Sequence, residues 1–253
     1  MKSSFASCLF LIAGCVMLSP AARAQEKPLT AAETEALVKK VIAENPELII
    51  KSVESYQIKQ QAASVSKAAQ NIIALQNDLT NNPHSPSAGN PKGDVTVVEF
   101  FDYHCGYCKH FFPILTQLLE QDKNVRIVFK EFPILSEDSA LASKAALAVN
   151  NIDPQKYMAF HAALMKSSGR FSMEILTEKA KEAGISEEAF KKALNNPELD
   201  KEIDHNRDLA QSLNIAGTPA LIIGTELVPG AVEIETLKSK VAQARNAAKE
   251  KRS

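Results

Sequence analysis

Apolar positions in the first third of the chain recur at helical spacing. Thr30 followed by Glu33 forms a capping box, and Leu37, Val38, Val41 and Ile42 share the face of the helix it opens. Asn45-Pro46 restarts the pattern, with Asn45 as cap and Pro46 at the first helical position. A long stripe follows through Ile49, Val53, Tyr56, Ala63, Ile72, Leu75 and Leu79, although its middle, from Lys59 to Ala69, is mostly Gln, Ser, Ala and Lys. Residues 81–93 contain Pro83, Pro86, Pro91, Gly89 and Gly93, which is turn chemistry and predicts a linker.

Beyond this break the period changes. Val95–Phe101 is an apolar run of strand length, Cys105–Glu120 reads as a helix that Pro113 should kink, and Val125–Lys130 is a second strand. Residues from about 137 to 213 are almost entirely helical, with openings at Asp153-Pro154 and Ser186 and a stop at Gly184. Ala220–Ile223 and Glu226–Val228 flank Gly224-Thr225, a hairpin signal, and Val232–Lys249 forms a last helix. The order β-α-β, helical block, β-β-α predicts an α/β thioredoxin fold over residues 94–250, with a helical insertion at about 137–205. A helical segment over residues 25–80 precedes it. That segment has little globular sequence beside it to cover its stripe, so a second copy of the chain is the expected partner. This predicts a homodimer through residues 26–80, with a trimer left open; the alternative is a helix folded back on its own catalytic domain.

The extreme N-terminus belongs to targeting. Lys2, an apolar run from Cys8 to Leu18 and Ala22-Arg23-Ala24 form a signal peptide over residues 1–24. Export to the periplasm of a Gram-negative bacterium is expected. Ile12-Ala13-Gly14-Cys15 keeps open a lipid-anchored or surface-associated form through Cys15. Cleavage after Ala24 leaves 27 basic against 30 acidic residues, a formal −3, which offers nucleic acid no basic field. It also removes two of the four cysteines, leaving Cys105 and Cys108. A bridge between these would close a two-residue gap. That constrains the unfolded chain very little, so the pair reads as chemical rather than structural.

Cys105-Gly106-Tyr107-Cys108 lies where a strand hands over to a helix. Unsatisfied N–H groups and the helix dipole favour a thiolate on the first sulfur, and the second, one turn on, can attack a mixed disulfide. Cys105 is therefore the expected nucleophile and Cys108 the resolving thiol. Haem attachment needs His after the second cysteine, where Lys109 stands. A zinc site drawn from His104, Cys105, Cys108 and His110 needs adjacent ligands in a tetrahedron, so no metal is expected. His104 is a candidate tuner of the thiolate, and Gly106 and Tyr107 candidate shapers of the pocket. Glu99, six residues before Cys105 in an apolar strand, is a candidate buried acid that Lys130 on the next strand could pair, forming a proton relay. Ile215-Ala216-Gly217-Thr218-Pro219-Ala220 opens a strand with Pro219. A cis bond there would bring Thr218 and Pro219 near the sulfurs, leaving the Thr218 backbone to pair with a client chain.

The stretches Val98–Cys108, Val128–Pro133 and Gly217-Thr218-Pro219 resemble the periplasmic DsbA-like thiol–disulfide oxidoreductases. The closer likeness is to members with an N-terminal helical extension, including the Com surface antigens, dimeric DsbA homologues and ScsC proteins. The resemblance implies cis-Pro219, redox roles for Cys105 and Cys108, a buried acid at Glu99 and oligomerisation through the extension. It implies exported cysteine-containing clients, a membrane redox partner for recycling and no cofactor beyond the Cys105–Cys108 disulfide. Gly-Tyr stands between the cysteines where strongly oxidising members have Pro-His, and Thr rather than Val precedes Pro219. Oxidation and isomerisation of client disulfides therefore both stay open. The alternative is a dimeric metal-binding, chaperone or surface protein whose thiols are incidental.

Overall fold

The computed structural model describes residues 28–250. The signal peptide expected over residues 1–24, with Cys8 and Cys15, lies outside the described residues. Helix α1 (Ala31–Glu44) opens with the Thr30–Glu33 capping box and ends at Asn45. Helix α2 (Glu47–Ala74) is interrupted at Leu75 before the short α3 (Gln76–Thr80), so the stripe to Leu79 runs over two helices rather than one. The chain divides into two compact units between Gln57 and Ile58, inside α2. In the first unit no residue of α1 is buried, and Leu37, Ile49, Val53 and Tyr56 all stand about half exposed or more.

The second unit is built on a sheet of order β1-β3-β2-β4-β5. Its strands are β1 (Ser87–Gly89), β2 (Val95–Phe101), β3 (Val125–Glu131), β4 (Ala220–Ile223) and β5 (Glu226–Pro229). β2 and β3 run parallel, joined by α4 (Gly106–Gln121), while β1, β4 and β5 add in antiparallel fashion. Between β3 and β4 lie α5 (Glu137–Ile152), α6 (Pro154–Met165), α7 (Met173–Glu182), α8 (Glu187–Leu194) and α9 (Glu198–Ser212). Ser136, Asp153, Ser172 and Ser186 cap the first four of these helices through their side chains. α10 (Ile234–Glu250) closes the chain. This is the expected thioredoxin arrangement with a helical insertion. Gly224, at φ +63°, supplies the left-handed turn of the β4–β5 hairpin.

The central strands are buried on both faces, and their two faces belong to different cores. Val97, Phe101, Ile127 and Phe129 pack under α4, the helical insertion and α10. Val98, Phe100, Val128 and Ile222 pack under α9 together with Ile72 and Leu79. This corrects two of the boundaries expected from the sequence. The end of the supposed oligomerisation region at 25–80 is part of the catalytic core, because Ile72 and Leu79 are fully buried there. The supposed linker at 81–93 carries edge strand β1, paired from Ser87 to Gly89 with Val128 to Arg126. Gly89 is needed for that approach: at φ +83°, a Cβ would come within 2.5 Å of the Val125 carbonyl oxygen. Turn residues mark a short edge strand here, not a tether.

Leu79→Ala is accordingly expected to destabilise the folded chain by about 2–5 kcal/mol in urea unfolding, as for a core leucine. A loss near zero would place the end of the extension outside the core.

Candidate active site

β2 ends at Phe101, and the next four residues turn the chain into α4. Cys105 caps that helix in an extended conformation without a side-chain capping bond. The residue is 7% exposed, and its thiol donates to the Thr218 carbonyl oxygen at 3.2 Å. Cys108 lies on the first turn of α4 and is completely buried, and both cysteines are free thiols. Burial, and next the charge of Glu99, push the Cys108 thiol well above its ordinary value, with a backbone hydrogen bond from Asp102 opposing them. Cys105 thus keeps a small opening to solvent at the unsatisfied end of a helix, and Cys108 is sealed behind it.

Glu99 lies beneath this pair, fully buried, with a hydrogen-bond partner on neither carboxyl oxygen among the described residues. Burial pushes its carboxyl up to about 8. The expected pairing with Lys130 does not form. The register places Glu99 beside Phe129 and Lys130 beside Phe100, so side-chain alternation sends the two charges to opposite faces of the sheet. Lys130 Nζ instead donates to the Asp78 carbonyl oxygen at 2.8 Å and to Ser85 Oγ at 2.7 Å. Burial lowers it to about 8, against the pull of Glu202 and Asp78. Glu202 accepts from Asn82 and Ser85, so Lys130 ties the 78–85 segment to β3, Glu202 ties it to α9, and Lys130 is not part of the thiol site.

The remaining expected residues fall around Cys105. The Thr218–Pro219 peptide is cis, and both residues border a cavity of about 390 Å³ with Ile215, Gly217, Leu227 and Pro229. The Thr218 carbonyl, expected to be available to a client chain, is taken by the Cys105 thiol. Tyr107 is 73% exposed, and Gly106 has open space where a Cβ would stand. The His104 ring packs 4.9 Å from that of Phe171 and makes no hydrogen bond to either sulfur among the described residues.

The sequence reading missed two sets of residues. Asp102, fully buried, accepts the N–H of His104 at 2.7 Å, of Ile134 at 2.9 Å and of Leu135 at 3.0 Å. The second set is a buried ring of Tyr103, Glu131, Tyr157 and His161 on the same face of the sheet as Glu99. Each tyrosine hydroxyl has one proton to give. Tyr103 is nearer His161 Nδ1, at 2.9 Å, than Glu131 Oε1, at 3.2 Å. Tyr157 is nearer Glu131 Oε1, at 3.1 Å, than His161 Nδ1, at 3.4 Å. The shorter pair of bonds needs an unprotonated Nδ1, and burial lowers His161 to about 3, which keeps the imidazole neutral. Burial also raises the Glu131 carboxyl well above its ordinary value. The available signals were an acid closing an apolar strand and a Tyr–His pair at i, i+4 in the apolar run of α6.

Residues 96–242 match the family model of the DSBA-like thioredoxin domain. A probable disulfide bond formation protein D of Bacillus anthracis is 30% identical over 152 residues, covering 56% of this chain and 70% of the relative. Among solved structures, a thioredoxin-like oxidoreductase from Silicibacter pomeroyi is 42% identical, with a TM-score of 0.64, over 67% of this chain and 97% of that one. A linker-deletion mutant of Proteus mirabilis ScsC is 29% identical, with a TM-score of 0.68, over 88% and 99%.

The carboxyl of Glu99 gives a signed test. Raised from 4.5 to about 8 in the fold, it stabilises the protein only while protonated. The reduced protein should lose on the order of 3 kcal/mol between pH 4.5 and 7 from this group alone, and Glu99→Gln should remove that slope. Chemical denaturation across this range checks it, and equal slopes in the two proteins would refute it. With its two cysteines at the strand-to-helix junction and residues 96–242 matched by the family model, the chain belongs to the DsbA-like family and is a thiol–disulfide oxidoreductase.

Proposed function

We propose that this protein exchanges disulfides with exported, cysteine-containing proteins through Cys105 as nucleophile and Cys108 as resolving thiol. The placement of Cys105 carries the reading: it caps a helix and keeps 7% of its surface open, while Cys108 is fully covered. In the oxidised pair a client thiolate attacks the Cys105 sulfur, forming a mixed disulfide and releasing Cys108 as a thiolate. A second client thiolate then attacks the client sulfur, expels Cys105 and leaves with a disulfide, so two electrons pass to the pair. In the reduced pair the Cys105 thiolate attacks a wrong client disulfide. Return of a client thiolate then isomerises it, and attack by Cys108 reduces it.

Cys108 releases or regains a proton in each cycle while shielded from water. Glu99 is suited to exchange that proton, being the acid whose charge acts on Cys108 and whose own affinity lies near neutral pH. Oxidation and isomerisation use the same groups, and the resting redox state of the pair selects between them. The leader at residues 1–24 supports a periplasmic location, and a membrane redox partner would reset the pair. The exposed apolar row of α1 and the first part of α2, from Leu37 to Tyr56, supports self-association through that segment.

Cys105→Ser is expected to abolish exchange, whereas Cys108→Ser should accumulate a client mixed disulfide on Cys105, visible as a mass adduct that thiol reductant removes. Turnover by Cys105→Ser would overturn the mechanism. Redox titration together with refolding of a scrambled substrate separates oxidase from isomerase. Sedimentation equilibrium is expected to return two or three chain masses for residues 25–253 and one for a chain beginning at residue 58; a single mass for both would remove the oligomer.

A further inference from the structure

A fully buried carboxyl group is costly unless its acceptor sites are filled, and Asp102 fills them with backbone donors from two different segments. Oδ1 takes the N–H of His104, in the turn that carries Cys105, and the Asp102 carbonyl oxygen takes the N–H of Cys105 itself at 3.0 Å. Oδ2 takes the N–H groups of Ile134 and Leu135. Those two residues lie beyond the end of β3, where no strand continues to pair them. One side chain thus holds an irregular segment, residues 132–136, against the turn bearing the reactive sulfur.

What the segment displays is apolar. Ile134 is 42% exposed and Leu135 54% exposed, although their backbone is held rigidly from beneath. Leu135 and Ser136 border a cavity of about 560 Å³ that His104, the neighbour of Cys105, also lines. The cavity's Arg170 and Asp138 are paired with each other at 2.9 Å, and Glu137 at the start of α5 adds one further carboxylate to its lining. A client chain joined to the Cys105 sulfur must lie against the residues around it. The residues flanking its cysteine are then offered two exposed aliphatic side chains, fixed in place, and no unpaired charge from the Arg170–Asp138 pair. Loops held on a rigid scaffold are where binding residues concentrate.

We propose that Asp102 is a positioning residue that pins residues 132–136 beside Cys105, making Ile134 and Leu135 a wall of the client site that receives an apolar side chain next to the client's cysteine. The inference rests on the reading of Cys105 as the nucleophile.

The test uses the full mature chain and three probes: a cysteine peptide flanked by Leu and Phe, the same peptide flanked by Ser, and glutathione disulfide. Two variants are compared with the parent. Asp102→Asn puts an amide N–H₂ where one of the accepting oxygens stood. The double variant Ile134→Ser, Leu135→Ser changes only exposed side chains, so it reports even if Asp102→Asn misfolds. Both are expected to raise KM for the Leu/Phe peptide about tenfold with kcat within about threefold, the size of losing one or two apolar contacts. KM for the Ser-flanked peptide should move less than about twofold, and the glutathione disulfide rate should fall less than about threefold. Equal losses with both peptides, or a loss confined to kcat, would overturn the role of the segment. Failure of the parent protein to react with glutathione disulfide would instead overturn the reading of Cys105, and this proposal with it.

Discussion

The exchange chemistry depends on an asymmetry between two sulfurs one helical turn apart. A helix that begins at the end of a buried strand has free N–H groups at its mouth and a packed core immediately below it. Cys105 occupies the mouth and Cys108 the core. Among the described residues, the side-chain hydrogen bond of Cys105 goes to a backbone carbonyl rather than to a charged group. The difference between the two thiols is therefore made first by where the backbone puts them, with the Glu99 charge adding to it at Cys108, and the other side chains around them chiefly hold that backbone still.

Three buried polar assemblies do the holding. Asp102 knots the turn before Cys105 to the segment after β3. The ring of Tyr103, Glu131, Tyr157 and His161 ties the same turn to the helical insertion through α6. On the other face, Lys130 ties α3 and the segment that follows it to the sheet. Glu99 is the exception, since its carboxyl oxygens have no hydrogen-bond partner among the described residues. An unpaired buried acid is a stability cost that packing elsewhere must offset, and such costs concentrate where chemistry needs them.

Much of this was legible in the sequence, for identifiable reasons. The order of strands and helices followed from changes in hydrophobic period, and Cys105, Cys108, Thr218 and Pro219 announced themselves by residue type and spacing. The pairing of Glu99 with Lys130 failed because β2 and β3 are apolar on both faces. Without alternation in the pattern, nothing in either strand shows the register that sends the two charges apart. The linker at 81–93 failed because Pro and Gly also mark a three-residue edge strand. The roles of Asp102, Glu131 and His161 are hidden in the sequence because each has a partner 26 to 58 residues away along the chain: Ile134 for Asp102, Tyr157 for Glu131 and Tyr103 for His161.

The most direct measurement is timed alkylation of the fully reduced native protein at neutral pH, with each modified cysteine located by mass spectrometry. Cys105 should be labelled rapidly, while Cys108 remains protected until the protein is unfolded. Equal labelling of the two, or labelling of Cys108 first, would contradict the division between an accessible and a sealed sulfur.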